Sequence, residues 1–294
     1  MSIRKIAFIG AGSMGAPMAR RAGAAGFELI ICDRAPAVLE AFAAEGATVT
    51  QSAADCAAAD AIVVLLANDA QIMAAMTGED GVASAIPAGH SPLICMMSTT
   101  LPRTLQAIRA PLEAAGARLI DAPVSGGIVG AEQGTLSILM GGEARDVEAA
   151  TPLMRAMGSN IFHCGPLGAG EVVKVVNNMI CVTNMFLTAE AIQVAEAHGV
   201  TLEQLSPILS VSTGLNFLTA DPAIGRAQYR AWARSDAAYK AIHDVVAKDL
   251  RLALELACDA DLAPGLLRAV SAYADRNDPE AMDRWVAAGG GRPG

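Results

Sequence analysis

Clustered basic residues, a metal-ligating spacing and a long apolar run are all missing from this 294-residue chain. Lys and Arg number 21 against 30 Asp and Glu, a formal charge of −9. This acidic balance excludes general binding to nucleic acid or to an anionic membrane surface, though not a local cationic pocket. Six cysteines (Cys32, Cys56, Cys95, Cys164, Cys181, Cys258) form no CxxC and no Cys/His pair at metal spacing. They are expected to be reduced, small core residues of a cytoplasmic protein, and no metal is expected. No stretch reaches about 18 uninterrupted apolar residues, so no membrane span is expected. The first residues run straight into a strand-like segment, so no signal peptide is expected either. Aromatic residues are only 4% of the chain, and no repeat of fixed period is found.

What remains is 53% hydrophobic, much of it alanine, with a mean hydropathy of +0.39, which excludes a disordered chain. The first half alternates short apolar runs with helical patterns. Strands are expected at residues 5–9, 28–32, 61–66, 93–97, 118–121 and 136–140, with helices between most of them. The runs are apolar on both pleat faces, as in strands covered on both sides, so a mainly parallel, doubly wound α/β domain is expected over residues 1–164. Residues 169–198 contain no proline and repeat apolar residues at helical spacing. A helix that long, about 45 Å at 1.5 Å per residue, reads as a connector within residues 165–199. Residues 200–288 show only helical signals (202–211, 237–258, 264–276, 279–287), hence an all-α second domain. The glycine-rich tail, 289–294, is expected to be disordered.

The first strand leads into Gly10-Ala11-Gly12-Ser13-Met14-Gly15 and then a helix. Gly10 permits a tight turn, Gly12 lets backbone approach a pyrophosphate, and Gly15 allows close helix–strand packing. The N–H groups at the helix start then face the phosphates. Asp33 ends the second strand, 23 positions after Gly10, where an acid accepts the adenosine ribose 2′-hydroxyl; this favours NAD. Arg34 keeps NADP open, because a guanidinium there can pair with a 2′-phosphate. The alternative for Arg34 is a solvated loop charge.

Three further motifs lie downstream. Asp121-Ala-Pro-Val-Ser-Gly-Gly follows a strand, and Ser125, Gly126 and Gly127 offer a hydroxyl and bare backbone to a carboxylate. In Gly168-Ala-Gly-Glu-Val-Val-Lys174-Val-Val-Asn-Asn178, Lys174 and Asn178 stand i,i+4 on one helix face. A lysine among four valines either snorkels outward or sits in an apolar pocket. Lys248-Asp249-Leu250 lies in a later helix.

Together these four motifs, in order and across essentially the whole chain, resemble the β-hydroxyacid dehydrogenase family, whose best-known member is 3-hydroxyisobutyrate dehydrogenase. The resemblance implies a two-domain NAD- or NADP-dependent oxidoreductase acting between its domains on the CH–OH of a small 3-hydroxy acid, or reducing its semialdehyde. Lys174 is then the proton-transfer residue, with Asn178 orienting it. Ser125, Gly126 and Gly127 anchor the substrate carboxylate, and Lys248 and Asp249 close the pocket, Lys248 also beside the cofactor. Leu66, Ala67 and Thr99 line the nicotinamide side. A homodimer or homotetramer is implied. Two departures stand out: Leu66-Ala67-Asn68 where members often carry Leu-Pro-Asn, and Tyr239-Lys-Ala-Ile-His243 where a Gly-Phe pair is common. Tyr239, Lys240 and His243 thus either read a second polar group of the substrate or form an exposed helical face. His90, His163 and His198 are expected to be structural. The competing functions are an imine reductase on the same fold, whose members usually replace the lysine, and a non-catalytic cofactor-binding protein.

Overall fold

The computed structural model describes residues 3–276 and 278–291, which divide into two units, Met1–Lys174 and Val175–Gly294. Among the described residues of the first unit, the elements run β1 (Lys5–Ile9), α1 (Gly15–Ala24), β2 (Glu28–Cys32), α2 (Pro36–Ala44), β3 (Thr48–Thr50), β4 (Ala61–Val64), α3 (Asp69–Thr77), α4 (Val82–Ala85) and β5 (Leu93–Met96). There follow α5 (Pro102–Ala114), β6 (Arg118–Asp121), β7 (Val124–Ser125), α6 (Gly127–Gln133), β8 (Leu136–Gly141), α7 (Ala144–Met157) and β9 (Gly158–Gly165). Helix α8 (Ala169–Ala197) begins in this unit and ends in the next.

The strands order as β3-β2-β1-β4-β5-β6-β8-β7, with β9 paired to β8. Pairing is parallel from β3 through β6 and between β8 and β9, and antiparallel where β8 meets β6 and β7. Side chains alternate across a strand, and here both faces are buried. Ile6 and Phe8 of β1 join one core with Met18, Ala22, Leu153 and Met154. Ala7 and Ile9 join the opposite one with Ile72, Met76, Leu105 and Ile108. This is the expected doubly wound domain. The strands not anticipated, β3, β7 and β9, lie towards the sheet's margins. Most of β9 is half-buried or exposed, so it lacks the continuous apolar run that marked the centre.

The second unit holds the rest of α8 and then α9 (Leu202–Leu209), α10 (Pro222–Trp232), α11 (Asp236–Asp259), α12 (Gly265–Asp275) and α13 (Pro279–Ala288). Helix α10 was not anticipated. Asp221 caps it and Pro222 opens it, but Gly225 in its interior weakens the helical signal. That glycine is there for close packing, since a Cβ would run into the Leu218 carbonyl oxygen. All of the chain's tyrosine and tryptophan lies here, with Phe186 and Phe217. Trp285 lies 5.5 Å from Phe186, 5.6 Å from Trp232 and 5.3 Å from Tyr239, ring centroid to centroid. The Tyr229 hydroxyl donates to the Met185 carbonyl at 2.8 Å. By length and composition alone α8 could cross a membrane, but Val182, Met185, Phe186, Ala189 and Ile192 are buried in the protein, as in the core helix of a globular unit.

Three expectations need correction. Cys32, Cys56 and Cys95 are buried, but Cys164 and Cys181 are only partly so and Cys258 is exposed. Of the tail expected to be disordered, Gly289–Gly291 donate N–H groups back into the end of α13, and the Gly289 carbonyl accepts from the Arg230 guanidinium; residues 292–294 lie outside those described. Finally, Tyr239 and His243 do not form an exposed helical face. They are 5% and 6% exposed, stacked 5.5 Å apart in the aromatic core. Lys240 alone is solvated, paired with Asp244 at 2.8 Å.

Burial pushes the His243 pKa below its ordinary value, against a hydrogen bond to the Ala274 backbone. The unfolded chain therefore takes up this proton first as pH falls. The stabilisation from a neutral His243 is complete above about pH 6.5 and is lost progressively below it. Urea unfolding between pH 8 and pH 5 is expected to show this loss, and His243→Gln to flatten it; parallel profiles would rule it out.

Candidate functional site

Where the strand order reverses between β1 and β4, a cleft of about 520 Å³ opens, lined by Gly10, Gly12, Asp33, Arg34, Leu66 and Ala67 among others. Crevices at such reversals, beyond the carboxyl ends of parallel strands, are where dinucleotides bind. Gly10 has φ +94°, and a Cβ there would strike the Leu65 carbonyl oxygen. Gly12 differs, because a Cβ there would meet no protein atom within 4 Å. The protein does not need that glycine for its own packing; a ligand approaching the backbone does. Helix α1 starts at Gly15 with no side-chain cap and no acid in its first turn, leaving its positive end available to an anion. Ser13 is exposed and Met14 half-buried on this loop.

Asp33 fixes the loop from behind. Its Oδ2 accepts from the Ala11 N–H at 2.8 Å and its Oδ1 from the Ala35 N–H at 2.9 Å. Each oxygen retains acceptor capacity for a ribose hydroxyl. Arg34 is exposed at the rim of the same cleft. On the other side, the Leu66 N–H donates to Ser98 Oγ at 2.7 Å, so the loops after β4 and β5 are joined directly. Asn68 caps α3 by accepting from the Gln71 N–H at 3.0 Å. Alanine in place of proline at position 67 leaves an N–H, which donates to Gln71 Oε1 at 3.1 Å. Thr99 follows Ser98 and is half-buried. The predicted cofactor residues Gly10, Gly12, Asp33, Arg34, Leu66 and Ala67 thus meet in one cleft, where they fit a dinucleotide.

The remaining candidates fall in two places. Ser125 ends β7, and Gly126 and Gly127, with φ +126° and +64°, turn the chain into α6. Lys174 lies on the second turn of α8 and is 9% exposed, whereas its neighbours Val172, Val173 and Val176 are 39%, 42% and 45% exposed. This inverts the normal order, charge outside and aliphatics inside. In the second unit, Asn178 Nδ2 donates to Asp249 Oδ2 at 2.7 Å, and Lys248 Nζ pairs with Asp249 Oδ1 at 3.1 Å. Two motifs 70 residues apart in sequence are thereby joined.

Sequence reasoning passed over the residues that hold the start of α8. Asp121, the last residue of β6, accepts from the Gly168 N–H at 2.7 Å and the Glu171 N–H at 2.8 Å. Burial pushes its carboxyl pKa up, and these N–H donors oppose that. Its place at the head of the Asp121–Gly127 motif was the available signal. Asp69, Thr100 and Glu171 had none, since each is an ordinary polar residue until the fold brings them together. The histidines are structural where their bonds are visible: His90 to the Ala59 carbonyl, His163 to those of Gly142 and Gly165. No cluster of three or more potential metal ligands occurs among the described residues.

The similarities of the chain agree with this geometry. Residues 5–165 match the family model described as the NAD binding domain of 6-phosphogluconate dehydrogenase. Residues 168–283 match that described as NAD-binding of NADP-dependent 3-hydroxyisobutyrate dehydrogenase. An NAD-dependent L-serine dehydrogenase of Pseudomonas aeruginosa is 38% identical over 258 residues, 87% of this chain and 86% of that protein. The structure of a Mycobacterium tuberculosis 3-hydroxyisobutyrate dehydrogenase with L-serine superposes with a TM-score of 0.80 at 27% identity, covering 98% of each chain. A Streptomyces aurantiacus imine reductase shares the fold at 16% identity and a TM-score of 0.63, covering 97% of this chain and 99% of its own.

The two loop glycines should separate binding from folding. Gly12→Val is expected to lower NAD affinity about tenfold or more with little change in thermal stability. Gly10→Val should destabilise the unit itself, by roughly 1–3 kcal/mol or more. Equal loss of stability in both, by calorimetry, would remove the argument that Gly12 serves the ligand.

Proposed function

The chain belongs to the β-hydroxyacid dehydrogenase family, and from that premise we propose that it oxidises the CH–OH of a small 3-hydroxy carboxylic acid, or reduces the corresponding semialdehyde, with Lys174 as general acid–base. NAD is its cofactor, with NADP possible given Arg34 beside Asp33. The observation that carries the proposal is that Lys174 is buried beside Val175 while Val172, Val173 and Val176 are exposed. A helix gives up an exposed position for its cation, and solvates valines instead, where the amine has work on the inward face.

The chemistry the cofactor supplies is hydride exchange at the nicotinamide ring. The chain's own residues do the rest. In oxidation the Lys174 amine takes the proton leaving the substrate hydroxyl; in reduction its ammonium returns one to the forming alkoxide. Asn178, held by Asp249, orients substrate and lysine. Ser125, Gly126 and Gly127 hold the carboxylate, which selects the carbon presented for reaction and so supplies orientation. Lys248, steadied by Asp249, adds positive charge on the substrate and cofactor side. The P. aeruginosa relative acts on L-serine and the M. tuberculosis structure carries L-serine by their names, which puts serine first among substrates to try, before 3-hydroxyisobutyrate. Because Tyr239 and His243 are committed to the aromatic core, a second anionic group on the substrate is not assigned to them.

Retention of Lys174 argues against the imine reductase reading. For assembly, we propose a homo-oligomer built on α8, whose Val176, Ile180, Leu187 and Val194 form an exposed apolar row. NAD and NADP reduction should be followed by absorbance over L-serine, 3-hydroxyisobutyrate and related 3-hydroxy acids. Lys174→Ala is expected to lose about 10²–10⁴-fold in kcat with NAD affinity retained; a mutant as active as the wild type would sink the proposed role.

A further inference from the structure

Behind the proposed site, acidic side chains that take no direct part in the reaction lie in one chain of hydrogen bonds. Asp69 opens α3 just after the loop of Leu66 and Ala67. Its Oδ1 accepts from the Thr100 hydroxyl at 2.6 Å and its Oδ2 from the Thr104 hydroxyl at 2.6 Å. The Thr100 backbone N–H donates to Glu171 Oε2 at 3.1 Å. The Glu171 N–H in turn donates to Asp121. Thr100, Glu171 and Asp121 are completely buried, and every residue of the chain belongs to the first unit.

Position along the sequence says what this chain connects. Thr100 follows Thr99, and Asp69, the first residue of α3, stands two residues beyond Ala67, so both adjoin the loops proposed for the nicotinamide side. Glu171 precedes Lys174 by three residues, about one helical turn. The start of α8 is already capped by Asp121, so capping does not explain a second buried acid. Glu171 directs its carboxylate across to Thr100 instead, at the cost of burying it.

We propose that Glu171 is a positioning residue for the reaction. Its carboxylate ties the turn of α8 that carries Lys174 to the loop after β5, and through Thr100 and Asp69 to the loop after β4. Hydride and proton leave the same substrate carbon and its oxygen, so the amine and the nicotinamide-side loops must keep a fixed spacing. A misplacement of about 1 Å costs on the order of 10²-fold in rate. The proposal rests on Lys174 being the proton-transfer group.

The test uses Glu171→Leu, which removes the acceptor, and Glu171→Gln, whose amide oxygen keeps one for the Thr100 N–H. Thr100→Val cuts the link to Asp69 while keeping that N–H. Each is measured for kcat, KM and NAD dissociation constant beside Lys174→Ala. Glu171→Leu should lower kcat by about 10–100-fold with KM and NAD affinity within about twofold, and Glu171→Gln should restore most of it. Should Glu171→Leu fail to fold, Thr100→Val carries the test, with a kcat loss of about 3–10-fold expected at unchanged KM. Wild-type kcat in the folded variants, with Lys174→Ala inactive, overturns the positioning role and leaves the lysine's role standing. A fall in cofactor affinity that matches the fall in kcat also overturns it, because the network would then be merely structural. An active Lys174→Ala overturns both readings together.

Discussion

A single buried carboxylate holds the working end of the first unit in place. Asp121 has no solvent exposure, and burying an ion is costly unless hydrogen bonds replace its water. The replacement comes from the start of α8, where the N–H groups of Gly168, just before the helix, and of Glu171, in its first turn, point at its two oxygens. Helix N-termini carry unsatisfied donors and a positive dipole end, so strand end and helix start each remove the other's penalty. The approach is close enough that a Cβ on Gly170 would run into the Leu139 carbonyl oxygen and lie 2.8 Å from Asp121 Oδ2. From that anchorage, Lys174 and Asn178 follow at helical spacing.

The same economy separates the two units by composition. The first is built from Ile, Val, Leu, Met and Ala on both faces of a mainly parallel sheet, where β-branched and small side chains suit the strand surface and the close helix contacts. The second places all of the chain's tyrosine and tryptophan among helices, with rings meeting edge-on or tilted around Trp285. A chain with 4% aromatic residues thus makes an aromatic core by concentrating them. Tyr239 and His243 belong to that core and not to an exposed helical face.

What could be read in the sequence follows the strength of local signals. Strands β1, β2 and β6 were legible to the residue because their burial on both faces forces continuous apolar runs. The marginal strands β3, β7 and β9 are short or largely exposed, so nothing in their composition sets them apart from loops. Helix α10 hid behind Gly225, a residue chosen for contact with Leu218 at the expense of helix propensity. At the cleft, the glycines and Asp33 were legible because a phosphate-binding turn has few solutions. The Asp69–Thr100–Glu171–Asp121 chain was not, because its members are scattered over about 100 residues and only tertiary structure makes them neighbours.

Helix α8 shows how the functional demand competes with folding. Its mean pattern is apolar enough to suit a membrane, yet its early turns turn the pattern inside out. Lys174 and Asn178 are each 9% exposed while Val172, Val173, Val176 and Ile180 face outward. Either half of that inversion is unfavourable in an isolated unit, since a desolvated amine loses hydration and exposed aliphatics forgo burial. Each half acquires a purpose in the proposed enzyme. The inward amine is placed, on the proposed mechanism, to exchange a proton with a substrate hydroxyl. The outward row continues along the helix through Leu187 and Val194 as a surface that a second copy of the chain would bury. One helix can serve both ends because residues three and four apart share a face: Lys174, Val175 and Asn178 turn inward, while Val173, Val176 and Ile180 turn outward.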